Sequence, residues 1–293
     1  MSYNVPRGAL ATGSAFSIWG LFPLYWKLVA SVPALQVLAH RALWCAVAVW
    51  AALLVRRDLP WVARLAPRLW GLLGIGGVLI TLNWGIYVWA VINGHVVDAS
   101  LGYFITPLVN VLLAVLVLGE RPTPLQCVAV GLAGVGVVVL GWRIGHLPWI
   151  SLTLACSFGL YGLVRKLTVI DAMRGLAVES GLMLVPALLY LLWCVRSGHG
   201  HFLAEDVTTS WLLVIGGPVT AIPLALFAWG ARRVSMLAIG VMQYITPSVQ
   251  LLIGVWLFHE AFGGARQLAF GLIWIALALF TGEVLWRYRP AAR

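Results

Sequence analysis

Apolar residues dominate the chain in ten long runs separated by short polar breaks. The runs lie at roughly 8–28, 35–55, 69–92, 98–118, 125–142, 148–167, 176–195, 211–231, 236–257 and 266–286. Each approaches the ~20 apolar residues that a helix needs to cross a bilayer core. None alternates apolar with polar positions, and all exceed the ~10 residues of a spanning β-strand. Lipid offers no partner to a free backbone group, so a segment must satisfy its own hydrogen bonds, as a helix does. The pattern predicts an all-α integral membrane protein with ten transmembrane helices.

The pattern also repeats. Residues Phe104–Glu120 read FITPLVNVLLAVLVLGE and Tyr244–Glu260 read YITPSVQLLIGVWLFHE. At an offset of 140, Ile105, Thr106, Pro107, Val109, Leu112, Val115 and Glu120 recur as Ile245, Thr246, Pro247, Val249, Leu252, Val255 and Glu260. At 139, Gly20, Leu21, Leu24 and Lys27 recur as Gly159, Leu160, Leu163 and Lys166; Trp89 has its counterpart at 140, in Trp229. Leu and Val matches alone carry little weight; Thr-Pro with a Glu thirteen residues beyond the proline carries more. The expected units are residues 1–145 (helices 1–5) and 146–293 (helices 6–10). Five is odd, so the second unit starts from the opposite side, and the repeats should be inverted about an axis in the membrane plane, with a cavity between them.

Composition agrees with a membrane span. The chain is 62% hydrophobic and 10% charged, against about 25% charged in soluble domains, and no polar stretch is long enough for a soluble domain. The first run follows a single arginine and has no small-residue cleavage site before its Trp-rich end, so it is expected to stay as a helix rather than be removed as a signal peptide. With the N-terminus inside, 14 Lys and Arg fall in inner loops and 4 in outer ones. That bias puts both termini in the cytoplasm. The net charge of +10 is spread over these loops rather than gathered in a patch, so nucleic acid is not an expected partner. Cys45, Cys127, Cys156 and Cys194 lack metal spacing and read as small buried hydrophobes. Trp26, Trp61, Trp70, Trp142, Trp149, Trp193, Trp211 and Trp286 fall near helix ends, as an interfacial belt does. Ala42 with Ala46, and Ala129 with Ala133, read as close-packing surfaces. No cofactor or metal is expected. The expected partners are a small-molecule substrate and the lipid bilayer, and a monomer is allowed.

Polar positions inside the runs mark a pathway. Ser100, Tyr103, Pro107 and Asn110 share one face of helix 4, and Gly240, Gln243, Pro247 and Gln250 the same face of helix 9. Each proline frees a backbone carbonyl, tolerable at depth where the carbonyl is buried or lines a cavity. Asn83 and Tyr87 lie one turn apart in helix 3. Trp19 and Phe22 of helix 1 match Phe158 and Tyr161 of helix 6, and Tyr244 adjoins Gln243. Aromatic walls with a few amides and hydroxyls suit a small amphipathic solute. Arg41, His40 and Glu179 are ionisable residues within helices, candidates for gating or coupling. As mirror equivalents, Glu179 and the His40–Arg41 pair should not meet. Glu120 and Glu260 end helices 4 and 9, where a carboxylate opposes the helix dipole, so Arg121 or a neighbouring helix end should hold them. Asp98 and Glu283 read as solvated end-of-helix charges.

WGLFPLYWK (19–27), HRALW (40–44), NWGIYVWAVINGHVVDASLGYFITPLVNVLLAVLVLGER (83–121), YGLVRK (161–166) and QYITP (243–247) closely resemble RarD-like members of the EamA family, in the drug/metabolite transporter superfamily. The resemblance covers essentially the whole chain. It implies a ten-helix bacterial inner-membrane transporter with inverted repeats and a central cavity. RarD proteins are associated with chloramphenicol sensitivity, and relatives in the superfamily export amino acids, aromatic ones included. Thr106 stands where RarD sequences usually carry Asn, and Gly85 interrupts a Leu-rich stretch.

The functional expectation is export of amino acids, aromatic ones among them, or similar metabolites. Efflux of a chloramphenicol-type drug is one alternative and proton-coupled antiport through Glu179 or His40 another; a receptor or assembly subunit without transport is a third. An enzyme is not expected: the histidines form no HExxH and the chain has no GxSxG.

Overall fold

The computed structural model describes residues 5–58, 61–168, 170–204, 206–231, 233–234, 239 and 241–287. They form helices α1 (Val5–Leu28), α2 (Ala34–Val55), α3 (Pro67–Ile92), α4 (Val96–Leu118), α5 (Pro124–Ile144), α6 (Trp149–Leu167), α7 (Ala172–Arg196), α8 (Val207–Ala231), α9 (Ile245–Leu252) and α10 (Ala265–Arg287). A single 3-10 turn, Val62–Arg64, precedes α3. No strand occurs among the described residues. Eight helices, α2 to α8 and α10, are long and apolar enough to cross a membrane. At 24 residues α1 has the length, but Thr12, Ser14, Ser17 and several glycines dilute it.

Helix 9 departs from the expected continuous run. A turn at Gln243–Tyr244 leads into an eight-residue α9, which passes into a π-helical turn at Ile253–Leu257. Pro247 sits in the first turn of α9, where its missing N–H has no helical partner to lose. Pro107, in contrast, lies within an unbroken α4.

The packing is reciprocal. Helix α1 packs on α8 and α9, while α6 packs on α3 and α4. Helix α2 lies against α7, α5 against α10 and α4 against α9. Exchanging helices 1–5 for 6–10 turns the α1 pairs into the α6 pairs and maps α2–α7, α5–α10 and α4–α9 onto themselves. Individual contacts follow the same rule. A Cβ on Gly20 would lie 2.7 Å from Val249, and one on its counterpart Gly159 would lie 2.8 Å from Val109. Glycine at both places lets the helix bearing Thr-Pro approach its partner backbone.

Polar links at the helix ends join loops that the Lys/Arg bias places on one side. Arg174 clamps Asp58 with two hydrogen bonds, at 2.7 and 3.1 Å. Lys166 donates to Glu120 at 2.9 Å, so Lys166 rather than Arg121 holds that carboxylate. At the other end Gln36 bonds the His199 carbonyl and the His201 amide. Glu260 accepts from the backbone N–H of Val96 at 2.7 Å and of Val97 at 2.8 Å. A carboxylate that would oppose the end of its own segment thus caps the positive end of α4. The Lys166–Glu120 pair is more than half exposed on both sides. Lys166→Ala is therefore expected to cost less than about 1 kcal/mol in thermal unfolding.

Three expectations are corrected. Asp98 is not a free solvated charge but a half-buried, paired one: Arg266 holds both its oxygens at 3.1 Å, and His95 lies 3.4 Å away. Glu283 is buried and accepts a 2.8 Å bond from Thr123, whose hydroxyl also caps α5 through Gln126. Cys45 and Cys194 are buried as expected, but Cys127 and Cys156 lie on the outside of the bundle. The alanine pairs at 42/46 and 129/133 are all buried.

Gly102 of α4 is a point of close approach to α6. A Cβ there would meet the Ser151 carbonyl at 2.7 Å, while α4 runs on as helix on both sides. Gly102→Val should therefore force α4 off α6. The expected loss is about 1–3 kcal/mol, as overpacking gives, read as a lowered unfolding temperature in detergent. Gly240, placed with Gln243, Pro247 and Gln250 on one face of helix 9, lies outside the described residues.

Candidate functional site

Two polar clusters and a central network occupy the space between the helices. The first cluster surrounds Arg41 of α2, which is 3% exposed. Its Nε donates to Thr220 Oγ1 of α8 at 3.0 Å. The Thr220 proton is engaged by the Gly216 carbonyl one turn back, so its oxygen is free to accept from the arginine. The guanidinium carbon lies 4.1 Å from the Trp84 ring centre, 4.9 Å from Trp26 and 5.7 Å from Phe22. Cation–π attraction to three rings offsets part of the burial penalty. Tyr87 shares one packed core with Phe22 and Trp26, and Tyr25 and Tyr103 pack against that core. Nη1 of Arg41 and the indole N–H of Trp26 are buried without a hydrogen-bond partner. Among the described residues no carboxylate pairs with Arg41. His40, next to it, turns away to pack on Phe202 at 5.0 Å.

The central network starts at Gln250 of α9, which is 2% exposed. Its amide nitrogen donates to Tyr87 Oη at 3.0 Å and to the Trp19 carbonyl at 3.3 Å. The Tyr87 ring meets Tyr103 at 5.7 Å. Tyr103 donates to Asn83 Oδ1 at 3.2 Å, and Asn83 donates onward to the Leu154 carbonyl and Ser157 Oγ of α6, both at 3.0 Å. Ser100 of α4 donates to the Pro247 carbonyl of α9 at 2.8 Å. Side chains from both halves are thus tied together by hydrogen bonds.

The second cluster lies around Glu179 of α7, 1% exposed. Tyr161 donates to it at 3.0 Å and Arg165 at 3.5 Å. Gly76 of α3 makes room: a Cβ there would stand 3.0 Å from the carboxylate. Neither His40 nor Arg41 bonds to Glu179, as the mirror relation predicts.

A cavity of about 340 Å³ opens beside Glu120, lined by Pro107 and Asn110 of α4 with Gln243, Gln126 and Arg121. It brings Pro107, Asn110 and Gln243 to one space. A larger hollow of about 660 Å³ follows one face of α1 alone, from Ala9 to Leu21; no polar groups from other helices converge there, so it is not taken as the site.

Most of the expected pathway residues therefore lie in the network or beside the cavity. Phe22, Tyr87, Tyr103, Asn83, Ser100, Pro247 and Gln250 fall in the first cluster and the network, and Tyr161 in the Glu179 cluster. Trp19 takes part through its carbonyl, while its ring packs on Phe16 and Phe227 at 5.5 and 5.8 Å. Tyr244 points elsewhere, stacked on Phe104 in the core between α4, α5 and α10. Trp26 corrects the belt reading: it is 1% exposed beneath Arg41, whereas Trp142, Trp193 and Trp211 are exposed as a belt requires. Sequence reasoning missed Trp84 and Thr220. Only their helical spacing could have flagged them, Trp84 beside Asn83 and Thr220 between Pro218 and Pro223. Among the described residues no group of His, Cys, Asp and Glu could hold a metal ion.

The EamA-like transporter family model matches residues 7–142. A protein named RarD from Streptomyces exfoliatus is 44% identical over 285 residues, covering 96% of this chain and 90% of its own. An uncharacterized transporter, YojE of Bacillus subtilis, is 42% identical and covers 96% of each chain. A crystal structure 24% identical to this chain shares the fold at a TM-score of 0.59, over 96% of this chain and 99% of its own. Identity at this level over nearly the full length, on a multi-pass helical fold, means that the chain belongs to the EamA family, as a RarD-like transporter of the bacterial inner membrane.

Proposed function

We propose that the protein exports amino acids, aromatic ones included, or similar small metabolites, by alternating access between two inverted five-helix repeats. In this reading residues 1–145 and 146–293 are the repeats, ten helices span the membrane, both termini are cytoplasmic, and the substrate contacts the Asn83–Tyr103–Tyr87–Gln250 network. The observation that carries it is the hydrogen-bonded meeting of α3, α4, α6 and α9 at that network. A site built from both halves changes exposure when one rocks on the other.

The two ends support a mechanism. At the outer end Glu260 caps α4, and Arg266 clamps Asp98. At the inner end the counterpart Glu120 is exposed on Lys166, and the cavity opens beside it. Equivalent residues in unequal environments are what an inward-facing state of an inverted repeat contains. Reversal would release Glu260 from α4 and close the Glu120 end.

Counterflow of a labelled amino-acid panel into proteoliposomes tests the reading. Exchange of at least one amino acid is expected; absence of any amino-acid flux would contradict it and turn the search to neutral drugs. A proton-coupled variant has support in the buried Glu179 carboxylate held by Tyr161 and Arg165. An imposed pH gradient that drives uphill flux in the parent, and fails to in Glu179→Gln, would establish it.

A further inference from the structure

The charge on Arg41 has no counter-charge on the described chain. Burying a guanidinium without an anion is costly in a low-dielectric interior, and an ionisable residue inside a span is a functional candidate for that reason. Stacking on Trp84, Trp26 and Phe22 and the bond to Thr220 satisfy part of it. They leave Nη1 of Arg41 and Nε1 of Trp26 as buried donors with no acceptor. Both groups can only donate. The missing partner must therefore accept hydrogen bonds, and the single uncompensated positive charge favours a single negative one.

We propose that Arg41 and Trp26 form the recognition point for a carboxylate on the transported solute. The solute class is then a monocarboxylate or an amino-acid zwitterion with an apolar or aromatic body, to suit the surrounding rings. Two further observations fit. Trp26 and Phe22, which stack on Arg41, pack in one core with Tyr87 of the central network, and Tyr103 packs against it. Gln250 Oε1, on the same network, is a buried acceptor without a donor and can take the ammonium of a zwitterion. A phosphate dianion would need a second cation, and the described residues near Arg41 hold none. The proposal rests on the transport reading for the passage of the solute, but binding is tested separately.

The test uses the full chain purified in detergent, with ligand-induced thermal stabilisation as the binding readout and proteoliposome flux beside it. The probes are the twenty amino acids, 3-phenylpropionate and benzoate, followed by the amide of each acid that binds. The expected result is that acids bind and their amides bind at least about tenfold more weakly, as loss of a charge-assisted bond gives. Arg41→Gln should remove the preference for acid over amide. Trp26→Phe, which keeps a ring and loses the N–H, should reduce it several-fold and guards against misfolding of the first variant. Equal binding of acids and amides, a preference that survives both substitutions, or no acid binding would each overturn the proposal. Acid binding with no flux would leave the carboxylate site standing and overturn the transport reading instead.

Discussion

Glu260→Ala is expected to destabilise the protein by about 2–3 kcal/mol, because two backbone donors at the start of α4 lose a charged acceptor together. Val96 and Val97 are both fully buried, so water cannot easily replace the carboxylate. Glu260→Gln keeps one acceptor and loses the charge, and roughly half the effect should remain. Thermal unfolding of the two variants beside the parent measures this; equal unfolding temperatures in all three would show that the cap contributes nothing. If the cap also seals the outer end, a cysteine placed in the network should react faster with an externally added, membrane-impermeant thiol reagent in the alanine variant.

The second large effect is expected at Asn83. This amide gives two bonds between buried groups and receives a third from the half-buried Tyr103. Asn83→Leu has similar volume and offers none. It strands the Tyr103 hydroxyl, leaves Ser157 with only its 3.3 Å bond to the Leu154 carbonyl, and removes these ties between α3 and α6. Interhelical hydrogen bonds in membranes average under 1 kcal/mol each, so the summed loss should be about 1–3 kcal/mol. The loss of flux should be larger, at least about tenfold, because a misplaced contact affects the transition between states as well as binding. Asn83→Ser, which keeps a small donor and acceptor, should recover part of it. Flux of Asn83→Leu equal to that of the parent, at matched protein amounts, would remove Asn83 from the pathway.

The parts of this architecture that were readable from sequence are those set by repetition along the chain. The run lengths locate α1 to α8 and α10 within a few residues, because hydrocarbon thickness fixes how long an apolar run must be. The Thr-Pro repeat anticipates the reciprocal packing, since the same glycine-to-valine contact recurs at Gly20–Val249 and Gly159–Val109. Ser100, Tyr103, Pro247 and Gln250 were visible because polar groups inside a span stand out against an apolar background. What escaped was whatever depends on which neighbour a face meets. In a membrane an apolar face can lie against lipid or protein, so nothing in the sequence separates Trp26, buried under Arg41, from Trp142, exposed at a helix end. Glu260 and Glu120 occupy equivalent places in the sequence repeat and unequal places in the structure, one on the backbone N–H groups of Val96 and Val97 and the other on Lys166. The break at Gln243–Tyr244 and the π turn after Leu252 escaped as well, for a run of apolar residues records hydropathy and not the path of the backbone.

The central claim is that one solute touches both halves of the chain at the network. The direct measurement is counterflow by the parent, Tyr103→Ala from the first half and Gln250→Leu from the second, with each variant shown to be monodisperse. The account predicts amino-acid exchange by the parent and its loss in both variants. Exchange that persists unchanged in either variant would contradict it, since a substrate path through the network cannot leave either side chain dispensable.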